Sequence, residues 1–165
     1  MTTTMPVVDG YPVVWGSRWG SPRLLQVARR GSLKSGRRVR TTINHTLPLD
    51  VAEPPQFIED ITGLRVRVQL ADTPLARLLV DCMRDGKFCA MSYTRCAFPT
   101  TRVLRLSNGQ LTEILDARVI EICLTEWPRQ KQSVAKLTSM PNWPADPRAF
   151  EKLTTILRQR QEQAA

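Results

Sequence analysis

The sequence predicts an α+β fold, mostly β, built as one compact domain with a few helices at its flanks. Three observations predict it. Short apolar runs with period-two alternation, bounded by Gly, Pro and Asn, recur from Val7 to Thr125. One helical stripe, Leu75, Leu78, Leu79, Cys82 and Met83, interrupts them. At 165 residues and 42% hydrophobic, the chain has apolar surface for one core and not for two. Residues 1–137 are therefore expected to form one domain, followed by a Pro-rich linker and C-terminal helix at 138–165.

The segment Val7–Trp19 alternates β-prone pieces with glycines and predicts a first strand and turns. Residues 20–36, with Gly20, Gly31 and Gly36, read as irregular. Val39–Leu47 is strand-like, with Thr41, Ile43, His45 and Leu47 on one side, and the prolines and acids of 47–55 predict a loop. His45 thus falls where a strand meets a loop, a common place for functional groups held by a scaffold. Leu64, Val66, Val68 and Leu70 alternate with Arg65, Arg67 and Gln69, the pattern of a strand buried on one face.

A helix follows, capped by Asp72 or Thr73, with Pro74 in its first turn and Gly86 at its end. It leads into the buried strand Phe88–Phe98. There Phe88, Ala90, Ser92 and Thr94 point one way, and Cys89, Met91, Tyr93 and Arg95 the other. Val103–Leu106 and Leu111–Asp116 flank Asn108-Gly109, a pair suited to the positive φ angles of a tight hairpin turn. In the next strand, Arg118–Thr125, Glu121 interrupts an apolar run, and a buried carboxylate there needs a donor such as a histidine or an arginine. The pattern weakens after Trp127-Pro128. Arg148–Gln163 predicts a helix with Phe150, Leu153 and Leu157 as a narrow apolar stripe.

Composition narrows the function classes. No apolar run approaches the roughly 18 residues of a membrane span, and the N-terminus lacks the zones of a signal peptide, so a cytosolic setting is expected. Cys82, Cys89, Cys96 and Cys123 form no CxxC pair and have one histidine for company, which disfavours a zinc site or a disulfide framework. The net charge is +9, and eight basic residues from Arg18 to Arg40 occur without an acid. Such a run either binds phosphates or an acidic partner or is a solvated surface. Finger, RNP-like and basic-heptad signatures are absent, so nucleic acid is not the expected partner.

Ser92 is a nucleophile candidate, His45 the one available histidine base, and Glu121 an acid able to fix the imidazole tautomer. By residue type alone, the three are equally a core hydroxyl, a structural histidine and a glutamate paired with arginine. Their order, His, Ser, acid, differs from the chymotrypsin, subtilisin and α/β-hydrolase orders.

From Val7 to Leu137 the chain resembles the tailed-phage prohead maturation proteases, distant relatives of the herpesvirus assemblins. Asn44-His45 matches that family's pair after an early hairpin, and Gly63-Leu64 its Gly-Leu strand. The run from Leu75 through Gly86 to Ser92 matches its helix and nucleophile strand. Val119–Thr125 and Pro128 match its Leu-x-Glu-Val-Ser-Leu-Val strand and proline. The chain departs from the pattern at Thr46, where an acid is usual, at Ala90 and Thr94, where glycines flank the serine, and at Arg129 and Gln130.

The resemblance implies a serine endopeptidase on a compact, largely antiparallel β-barrel flanked by a few helices, as in assemblins. His45, Ser92 and Glu121 would be its triad, and Arg129 an oxyanion donor. It implies no metal or cofactor. The expected substrates are scaffold, the N-terminal part of the major capsid protein and the chain itself, inside a procapsid in host cytoplasm, with self-association there. Two other classes remain at this point: an inactive assembly factor of the same fold, and a basic nucleic-acid-binding module. Cys89 and Cys96 are poorer nucleophile candidates, Cys89 because it does not share the serine's face.

Overall fold

A computed structural model describes residues 5–164. Strands make up 49% of the chain and helices 17%, so the mostly β expectation holds. The first sheet is antiparallel, in the order β11 (Val134–Ser139), β1 (Val7–Val14), β7 (Gly63–Gln69), β6 (Gln56–Glu59). Alternate residues of β1 and β7, among them Val8, Val66 and Val68, are fully buried.

The second sheet is organised by one long strand, β10 (Gly109–Thr125). Its N-terminal half lies between β3 (Leu24–Ala28), parallel, and β9 (Thr100–Leu106), antiparallel. Its C-terminal half lies between β4 (Leu33–Ile43), parallel, and β8 (Ala90–Arg95), antiparallel. β2 (Arg18–Ser21) extends β3, and β5 (Leu47–Pro48) folds back on β4.

Midway along β10 the register shifts between Val119 and Glu121: these two pair with the consecutive residues Arg95 and Thr94 of β8, so β10 carries one extra residue, Ile120. A bulge of this kind reverses which parity of residue faces the core. Ala117 and Val119 are buried on the core side before it, and Ile122 and Leu124 after it. Glu121 and Cys123 are thereby placed on the other face.

No sheet closes on itself, so the expected barrel is not confirmed. Where β8 approaches the first sheet, Ala135 N–H donates to the Cys89 carbonyl at 2.8 Å, but the next position, Met91 N–H, donates instead to the Ser133 hydroxyl at 3.1 Å. A side chain stands where a ladder would continue, leaving two sheets that meet at a seam.

Helix α1 (Pro74–Arg84) forms as its caps dictate: the Thr73 hydroxyl accepts from Ala76 N–H at 3.2 Å, and Gly86 takes φ +76° just past the end. It buries Leu79, Val80 and Cys82 against the sheets. Helix α2 (Ala149–Ala164) adds Ala149, Leu153 and Leu157 to the same core, and the Phe150 ring lies 6.3 Å from that of Phe88. No helix among the described residues is long and apolar enough to cross a membrane.

Three expectations are corrected. Residues 20–36 are not irregular, since they contain parts of β2 and β4 and all of β3. No clean alternation marks them: β2 buries Trp19 alone, and β3 buries the adjacent residues Val27 and Ala28. The hairpin after Phe98 forms with Ser107-Asn108 as its loop, but none of Ser107, Asn108 or Gly109 has positive φ. Gly109 is required for another reason: a Cβ there would stand 2.4 Å from the Arg23 carbonyl oxygen. Four of the eight residues of the basic run are also paired within the fold. Arg29 pairs with Glu113, Arg30 with Glu59 at 3.3 Å, Lys34 with Asp116 at 2.8 Å and Arg40 with Glu121 at 3.2 Å.

Candidate active site

The site is the face of the second sheet onto which the bulge turns Glu121. On β10 it carries Glu121, Cys123 and Thr125. Their partners on β8 are Thr94, Ser92 and Ala90, and on β4 Glu121 and Cys123 stand beside Arg40 and Thr42. The opposite face carries Ile122, Leu124, Tyr93 and Met91 into the core.

His45 does not continue β4 but sits in the turn after it. Thr46 N–H donates to the Ile43 carbonyl at 3.1 Å, and both central residues are left-handed, Asn44 at φ +49° and His45 at +58°. Two non-glycine residues in this region cost free energy, so the turn needs anchors. It has three on β10. Asn44 N–H donates to the Leu124 carbonyl at 3.0 Å, the Thr125 hydroxyl donates to Asn44 Oδ1 at 2.7 Å, and His45 N–H donates to Cys123 Sγ at 3.0 Å.

The turn delivers the imidazole to Glu121, with Nδ1 2.5 Å from Oε1. An ionised carboxylate can only accept, so Nδ1 is the donor in this contact, and the neutral tautomer that makes it is the one with its lone pair on Nε2. The Glu121 side chain is 6% exposed and its acceptors are well used: Thr94 Oγ1 also donates to Oε1 at 3.2 Å, and Arg40 to Oε2 at 3.2 Å. The donor expected for this carboxylate is thus both a histidine and an arginine. The His45 side chain, 35% exposed, is the wetter end of the pair.

Ser92 lies on the same face, across β10 from the histidine turn. Two strand spacings of about 4.8 Å separate the backbones of β4 and β8. Ser92 is 1% exposed, and its Oγ has no hydrogen-bond partner among the described residues. His45 and Glu121 are therefore joined, whereas Ser92 shares their face without a bond to His45. Arg129 is exposed in the turn after β10, and its charge bears on Tyr93, which points to the opposite face of β8 from Ser92. No hydrogen bond joins Arg129 to Ser92 among the described residues. The neighbouring Gln130 is buried and pins this turn to β1 by accepting from Val14 N–H at 2.8 Å.

Cys123 lies between the Ser92 strand and the His45 turn, directly opposite Ser92. Burial pushes its thiol up to about 11, so it is a neutral, poor nucleophile near pH 7. Cys89 is also pushed up by burial, which weakens it in the same way.

Reading the sequence missed Cys123, Thr94 and Arg40 as site residues. Each is recognisable only through its register with Ser92 or Glu121, and the pairing of β4 with β10 spans some 80 residues of chain.

Two open cavities flank the constellation. One, of about 560 Å³, is bounded by Phe88, Ala90, Thr125, Trp127 and Lys131, two residues along the strand from Ser92. The other, of about 610 Å³, lies between His45 and the end of α2.

No curated protein and no solved structure matches the chain. A family model described as caudovirus prohead serine protease does match, over residues 1–144. That span holds both sheets, the histidine turn and the serine strand in the order found here, and the chain belongs to the caudovirus prohead serine protease family.

Proposed function

We propose that the chain is the capsid-maturation endopeptidase of its virus, with Ser92 as nucleophile, His45 as base and Glu121 as the orienting acid. The observation that carries this reading is the 2.5 Å contact between His45 Nδ1 and the buried Glu121 carboxylate, on the sheet face that also bears Ser92. A fixed Nδ1–H leaves Nε2 as the proton acceptor.

In the proposed reaction, Ser92 Oγ attacks the scissile carbonyl while its proton passes to His45 Nε2. The tetrahedral oxyanion is held by backbone N–H groups, with Arg129 as a further donor if its turn folds toward the serine. His45 then protonates the leaving amine, and water attacks the acyl-enzyme with His45 again as base. Bringing Oγ to Nε2 takes side-chain rotation on substrate binding, and free enzymes commonly show such loose geometry. The proposed substrates are scaffold, the N-terminal part of the major capsid protein and the chain itself within the procapsid. Residues 1–137 would carry the chemistry, and 138–165 the Pro-rich linker and the C-terminal helix.

The test is intact mass of the chain co-expressed with its capsid protein, as wild type, Ser92→Ala and His45→Ala. Defined fragments in the wild type alone support the protease. The unpartnered, buried Ser92 hydroxyl favours one competing reading, an inactive assembly factor. Intact capsid protein in assembled shells from all three samples would select it.

A further inference from the structure

The inward stripe of α2 changes chemistry along its length. Ala149, Leu153 and Leu157 recur at helical spacing and are buried in the core. The next positions on that stripe are Arg160, Gln161 and Ala164, and these line the open cavity of about 610 Å³ whose other side is His45 and Thr46. Apolar packing holds the first half of the helix, and a polar, basic end stands over the proposed base.

Among the described residues the charge of this cavity is one-sided. Those that line it are His45, Thr46, Arg160, Gln161, Gln163 and Ala164, none of which carries a side-chain carboxylate. Glu162, between two lining residues, is not one of them. Arg160 is exposed and has no ion pair among the described residues. A guanidinium flanked by two carboxamides, open to solvent beside the base, is a carboxylate receptor by its donor geometry. The helix also lies beyond the residues matched by the family model, which end at 144, so this wall is a feature of the chain's own C-terminal segment.

We infer that the end of α2 forms one wall of the substrate cleft and that Arg160 selects an aspartate or glutamate side chain close to the scissile bond. The inference rests on the protease reading above and specifies the substrate class of that site. Arg160 is a specificity residue, and the chemical step does not pass through it.

The experiment uses the full-length chain, as wild type, Arg160→Glu and Arg160→Ala, on a proteome-derived peptide library with cleavage sites read by mass spectrometry. Labelling of Ser92 by a fluorophosphonate is measured in parallel. Wild type is expected to enrich Asp or Glu at one position within about three residues of the cut. Arg160→Glu is expected to lower that enrichment about tenfold and favour Lys or Arg there, with Arg160→Ala between the two. Serine labelling should persist in all three, which reports a reactive Ser92 separately from the choice of substrate. Cleavage without acidic preference in the wild type, or a preference unchanged in Arg160→Glu, overturns the subsite while leaving the protease intact. Absence of both labelling and cleavage in the wild type removes the protease, and the subsite with it.

Discussion

Cys123 faces Ser92 directly across the β10–β8 ladder, and its sulfur accepts the backbone N–H of His45 at 3.0 Å. One small side chain therefore both supports the base and sets the floor over which base and nucleophile must meet. Cys123→Ser keeps the volume and the acceptor, and should leave kcat within about threefold of wild type. Cys123→Leu inserts bulk at that floor and should lower kcat at least about 100-fold, with a stability loss of about 1–3 kcal/mol. Cleavage kinetics beside thermal unfolding check this, and a fully active Cys123→Leu would refute the shared floor.

Glu121 fixes the imidazole, and Arg40 fixes Glu121 from a side chain that is 72% exposed. Glu121→Gln should lower kcat by about 10²–10⁴-fold with KM changed little, because the carboxamide no longer stabilises the imidazolium that forms during the reaction. Arg40→Ala removes one solvent-screened contact and should cost no more than about tenfold. A larger loss at Arg40 than at Glu121 would reverse the assigned roles.

Asn44 serves through both its backbone and its amide oxygen. Asn44→Gly retains the left-handed turn and loses the bond from Thr125, whereas Asn44→Ala loses the bond and strains the turn. Thermal unfolding should rank wild type above Asn44→Gly and that above Asn44→Ala, the last by about 1–3 kcal/mol below wild type. Equal losses in both variants would show that φ at this position carries no cost.

Acid stability should depend on Glu113, which sits on β10 with its side chain covered by Arg29 and Arg102. Hydrogen bonds from Arg29 and then Arg102 hold its carboxyl below the ordinary value of 4.5. A depressed folded-state pKa contributes stability that is complete above about 4.5 and is lost as pH falls through the lowered value. Melting temperature should therefore drop below about pH 4.5, and Glu113→Gln should lower the neutral-pH value while flattening that acid limb. An acid limb as steep as wild type would assign the effect to other carboxylates.

The parts of the fold legible in the sequence were those whose signal is local. Thr73, Pro74 and Gly86 bounded α1, alternation gave β7 and β8, and the placement of His45 at a strand–loop junction followed from the prolines after it. The need of Glu121 for a donor was legible because a buried carboxylate has few ways to exist. Strands β2, β6 and β11 were hidden because their residues are largely exposed, and β3 because it buries adjacent rather than alternate residues. The left-handed turn at Asn44-His45 was hidden for a related reason. Its anchors are on β10, some 80 residues away, and nothing near the turn announces them.

The extra residue in β10 is one that the ladder itself does not need. Ile120 is only partly buried, so exchanging it for another residue should disturb little. Its neighbours Val119 and Glu121 already face consecutive residues of β8, Arg95 and Thr94, so deleting it would leave a regular strand with Val119 and Ile122 still toward the core and Glu121 and Cys123 still on the site face. A residue lost after the bulge has no such remedy, because it turns every later side chain to the opposite face. Among drifting sequences of this lineage, substitutions and single-residue gaps should both be tolerated at position 120, while gaps between Glu121 and Thr125 are purged.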